Sequence, residues 1–142
     1  MFIVMANALI FSILGGFHLY WVFGGQRGMN VAVPTDREGQ RLFEPSKQST
    51  LIVALGLFGF AWLNLAVVGM ASWGLSTTVL RYALLAIALV FAIRSMGDFR
   101  YVGFGKKFKT SPFARMDTAF FSPLCLLLAL THIYLFYALS IS

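Results

Sequence analysis

Charge is what this chain lacks most. Only 11% of its 142 residues are charged, against roughly 25% in soluble domains. The shortage is local: four runs, at 2–23, 51–72, 77–94 and 118–140, hold no carboxylate and only Arg81 and Arg94 as cations. A soluble fold with 59% hydrophobic residues could not keep a wettable surface. Cysteine is nearly absent too. The single Cys125 excludes an internal disulfide and two-cysteine redox chemistry, and no Cys/His spacing suits a metal. No lysine or arginine precedes Arg27, so the first run lacks the basic flank of a signal peptide and reads as a retained helix. The lack of a mid-span carboxylate argues against proton-coupled export. No phosphate loop, nucleophile elbow or HExxH motif occurs.

What is present is apolar length. A hydrocarbon core takes about 20 apolar residues per helix, and each run approaches that. Backbone polar groups in lipid need internal partners, so spanning runs are helices. Ten-residue alternating segments of a β-barrel do not occur. The expectation is an all-α integral membrane four-helix bundle, one transmembrane domain over 1–142. Its loops at 24–50 and 95–117 share one side.

Those loops, together with Arg94 at the border of the second, carry ten of the eleven basic residues. By the positive-inside rule they are cytoplasmic, and both termini lie on the non-cytoplasmic side. The imbalance argues against dual-topology insertion. The net charge of +6 is thereby explained by topology, and no nucleic-acid partner is expected. In the first gap, Asp36–Phe43 could form a short surface helix, the mixed signs suggest internal ion pairs, and Ser46 or Ser49 could cap the second run. In the third gap, aromatic residues alternate with cations. Anionic lipid headgroups would meet Lys106, Lys107 and Lys109 there. A membrane-protein partner is a second expectation, and no cofactor or metal is expected.

The few polar residues inside the runs sort into two layers. Asn7 and His18 are eleven residues apart, about 20° past three full turns, so they share a face. Thr118, Cys125 and His132 share another by seven-residue spacing. An outer layer would contain Asn7, Asn64, Arg81 and His132. An inner one would contain His18, Arg94, Asp98, Arg100 and Asp117, with Ser122 nearby. Polar groups in a membrane are functional candidates by default, but they also serve as interhelical glue. His18 and His132 should differ by on the order of 10 Å in depth, which disfavours a bis-histidine haem. Gly15, Gly16, Gly56 with Gly59, and Ala88 with Ala92 would allow close helix approach.

The segment GGFHLYWVFGG at 15–25, VPT and EPS in the first gap, MGDFRYVGF, and FARMDTAFFSPLCLLLAL together resemble a small bacterial membrane-protein family, domain of unknown function 3995. The resemblance spans nearly the whole chain and implies a bacterial multi-pass membrane protein. It implies no reaction, ligand or catalytic residue. His18, Asp98, Arg100, Asp117 and Pro123 carry it, which favours the inner layer. The reading that follows is a non-enzymatic inner-membrane protein binding a partner protein or lipid-like ligand through its cytoplasmic polar face. A membrane enzyme acting on a lipid or isoprenoid, with His18 or His132 as acid–base group, is the alternative. A small channel or carrier is the third.

Overall fold

The computed structural model describes every residue except Ser72 and Ser142. Its elements are helical: α1 (Phe2–Val22), α2 (Met29–Ala32), α3 (Lys47–Val67), α4 (Thr77–Met96), α5 (Pro112–Met116), a π-helical turn (Asp117–Phe121) and α6 (Ser122–Ile141). Four helices are long and apolar enough to cross a membrane, the last running continuously over Pro112–Ile141. No strand occurs among the described residues. The expected end of the second run, Ser72, lies outside the described residues.

The second span begins earlier than its apolar run because Ser46 caps it. The Ser46 hydroxyl accepts the Ser49 N–H, and its extended backbone turns the chain into the helix. Residues 36–43 are not helical. Asp36 Oδ1 accepts the N–H groups of Glu38 and Gln40 at 2.9 Å, and a single antiparallel bridge joins Thr35 and Arg41. This side-chain competition for backbone donors favours a turn over a helix, and Gly39 at φ +81° completes it. The ion pair in this loop is Arg41–Glu44 at 3.2 Å, on the surface.

The chain divides into two compact units. The first comprises Met1–Gly25, Ser46–Ala88 and Leu130–Ser142; the second comprises Gln26–Pro45 and Leu89–Ala129. In the first, Val4, Leu84 and Leu135 form a buried cluster with Ile3, Val67, Val68 and Leu139 packed on it. For helices that cross a membrane such contact would work through van der Waals packing, since lipid is as apolar as leucine. Gly15 provides the close approach: a Cβ there would lie 3.0 Å from the Phe58 ring. Gly16, Gly56 and Gly59 have nothing within 4 Å of that position, so they are not packing glycines here.

In the second unit the chain reverses just after α4. Gly97 and Gly103 both have positive φ, and a Cβ on either would overlap the backbone of Val102 or Met96. The Phe104 N–H reaches the Ser95 carbonyl at 2.9 Å and closes the reversal. Further on, Ser111 caps α5 by accepting the Ala114 N–H, with Pro112 in the first turn. The following π turn ends with the Ser122 N–H on the Asp117 carbonyl. Its extra residue breaks the seven-residue face expected for the fourth run. Thr118 is exposed, Cys125 half-buried and His132 buried.

Candidate functional site

The strongest concentration of charge lies in the second unit. Asp117 is 0% exposed, and Lys106, a surface residue in the sequence reading, is 3% exposed. Oδ1 of Asp117 accepts from Arg94 Nη2 at 3.0 Å. Oδ2 accepts from Lys106 Nζ at 2.9 Å and from the Gly103 N–H at 2.8 Å. The Lys106 ammonium also donates to the Gly103 carbonyl at 2.9 Å. Gly103 is thus held at both backbone groups, which its left-handed conformation makes possible. Lys107 and Lys109 remain exposed, whereas Lys106 has its charge turned inward and is not offered to headgroups.

Two cations face one carboxylate, so the cluster keeps an excess positive charge. Arg94 is half-committed: Nη1 is buried with no hydrogen-bond partner, while its side chain is 34% exposed. The buried Ser122 hydroxyl also has no partner. Cys125, one helical turn on, lies within electrostatic reach of both Arg94 and Asp117. An unpaired guanidinium nitrogen in a cluster with excess positive charge suits an anion's oxygens.

Two other inner-layer residues serve the loop itself. Asp98 Oδ1 accepts the N–H groups of Arg100, Tyr101 and Val102 at 2.9, 2.7 and 2.9 Å. The exposed Arg100 guanidinium lies 5.3 Å from the Tyr101 ring centroid. Across the same unit, the Arg37 guanidinium sits 4.3 Å over Phe108. Burial raises the Asp98 pKa, but the three N–H donors outweigh it and hold the carboxyl below its ordinary value. A depressed pKa stabilises the fold above the unfolded-state value of about 3.9. That stabilisation disappears as pH falls through the lower folded-state value. Asp98→Asn is therefore expected to cost about 1 kcal/mol at pH 7, with the gap to the natural chain closing only below about pH 4. Unfolding midpoints in detergent at pH 7 and pH 3 check this; an equal gap at both would contradict it.

His18 belongs to the first unit and serves its own helix. Its Nδ1–H donates to the Leu14 carbonyl at 2.8 Å, and its ring stands edge-on to Trp21 at 5.0 Å.

The same unit holds a buried polar layer. Asn64 Nδ2 donates to the Phe60 carbonyl at 2.9 Å and to His132 Nε2 at 3.1 Å. An amide N–H cannot accept, so Nε2 is the unprotonated ring nitrogen and the ring proton sits on Nδ1. The Thr131 hydroxyl donates to Asn7 Oδ1 at 3.2 Å. Phe11 packs against the His132 ring at 5.5 Å. Arg81 stands apart from these bonds: its guanidinium lies 4.5 Å over Phe136, and its Nε is buried without a partner. The structure therefore brings Asn64 to His132 and Arg94 to Asp117. It adds Thr131, Lys106 and Gly103, which the sequence reading did not place in either layer. Asp117 carried a usable signal: it is a carboxylate opening an apolar run, beside a loop rich in cations. Among the described residues no three His, Cys, Asp or Glu side chains gather to hold a metal ion.

Among the described residues, four membrane-compatible helices and a charge cluster that joins the end of α4, the following loop and the π turn describe a small all-helical protein with the composition of a membrane protein. The chain belongs to the family described as Protein of unknown function (DUF3995), which it matches over residues 11–132. No curated protein matches it, and no solved structure does.

Proposed function

We propose that this is a multi-pass protein of the bacterial inner membrane, with both termini outside, that binds an amphiphile with an acidic headgroup. It does so without catalysis, on the cytoplasmic side. The supporting observation is Arg94, which stands at the last turn of α4 with Nη2 fixed by Asp117 and Nη1 unpaired. Asp117 holds the guanidinium in place. Exposed Lys107, Lys109 and Arg115 add long-range attraction for an anion.

The test is native mass spectrometry of the full chain in detergent, titrated with phosphatidylglycerol or phosphatidylcholine. Phosphatidylglycerol should be retained preferentially, and Arg94→Gln should weaken it about tenfold, or about 1.4 kcal/mol. Asp117 would still hold Lys106 and Gly103 in that variant, so the fold should survive. The joint replacement Lys107→Gln and Lys109→Gln should weaken binding less. Equal retention of both lipids, or an unchanged Arg94→Gln, would sink the reading.

A further inference from the structure

We infer that the buried layer of the first unit binds one hydroxylic oxygen, from a water molecule or an alcohol, between Asn7 and Asn64. The helix register places these two side chains. Gly15 of α1 meets Phe58 of α3, and Phe11 meets Phe60 with ring centroids 5.6 Å apart. Moving back along α1 therefore means moving forward along α3, so the two run antiparallel. The next turn outward brings Asn7 level with Asn64. Their partners on α6, Thr131 and His132, are consecutive residues.

Each amide is half used. Asn7 spends Oδ1 on Thr131 and leaves Nδ2 unpaired. Asn64 spends Nδ2 on Phe60 and His132 and leaves Oδ1 unpaired. The residues are 3% and 0% exposed, where an unmet amide group is costly. One side lacks an acceptor and the other a donor. A single oxygen that accepts from Asn7 Nδ2 and donates to Asn64 Oδ1 satisfies both. A metal cation has nothing to offer the N–H, a halide has nothing to offer the carbonyl, and an ammonium group cannot accept. Reversal of the Asn7 amide, with Thr131 accepting, would leave two unmet carbonyls, which water meets with its two O–H groups but an alcohol, with one, does not. The Asn64 amide is fixed, since the Phe60 carbonyl requires a donor.

The test is a crystal structure of the full chain from a lipidic mesophase, with and without a 2-bromoethanol soak. The expected result is a density peak within hydrogen-bond distance of both amides. A compact peak unchanged by the soak identifies water. A bromine anomalous signal beside the layer identifies an alcohol's hydroxyl. An empty gap, or a direct Asn7–Asn64 hydrogen bond, overturns the inference. A second readout is the thermal midpoint of Asn7→Leu, Asn64→Leu and the double variant in detergent. A shared guest makes the double variant lose less than the sum of the two single losses, because the guest is lost only once, whereas strictly additive losses overturn it.

Discussion

Asp117→Asn is expected to lower stability by about 3–5 kcal/mol, the usual cost of leaving a buried charge without its counter-ion. The ammonium it abandons is Lys106, whose side chain is 1% exposed and whose other visible partner is the Gly103 carbonyl. An asparagine amide keeps one acceptor oxygen where the carboxylate has two, and it offers no charge. The Gly103 N–H and Arg94 would compete for that one oxygen. Adding Lys106→Met should recover a large part of the loss, because removing both partners of a buried pair is often close to neutral. Unfolding of the two variants in detergent, measured against the natural chain, decides the matter. A single variant within 1 kcal/mol of it, or a double variant worse than the single, would contradict the buried pairing.

Phe11→Ala should be the second large effect, at about 2–3 kcal/mol. Phe→Ala in a water-soluble core costs roughly 3–5 kcal/mol, part of it transfer from water and part the cavity left behind. If α1 crosses the membrane as proposed, the transfer part is largely missing, because the unfolded reference is also apolar. The lost packing remains. Phe11 is 0% exposed and touches the rings of both Phe60 and His132. Its removal loosens the contact that holds the imidazole toward Asn64. Phe11→Leu should cost clearly less than Phe11→Ala. Equal losses would mean that the site collapses freely and that the ring contacts contribute little.

The helices were legible in the sequence because apolar length and composition speak directly for spanning segments. Ser46 was legible as a cap for the same local reason. The buried polar residues of α1, α3 and α6 could be sorted by depth, which put Asn7, Asn64 and His132 in one layer. Arg81 was misleading: depth placed it with the others, but a long cationic side chain chooses among aromatic faces, and it lies over Phe136. The loop after α4 was the opaque part. Its shape depends on two left-handed glycines and on one carboxylate gathering three backbone donors, which hydrophobic periodicity does not report. Without that shape nothing in the sequence says which lysine turns inward. The π turn hid in the same way, since one added residue leaves the composition of an apolar run unchanged but rotates every side chain before it.

Lys106 leads two lives that are separated in time. In the proposed orientation its ammonium would count, during insertion, with nine other basic residues in favour of keeping these loops on the side of synthesis. Once the chain has folded, the same charge is taken up by Asp117 and no longer faces the surface. A substitution there would barely disturb how the protein is threaded, since nine cations remain. Its damage would come afterwards, as a chain correctly inserted but unable to finish folding.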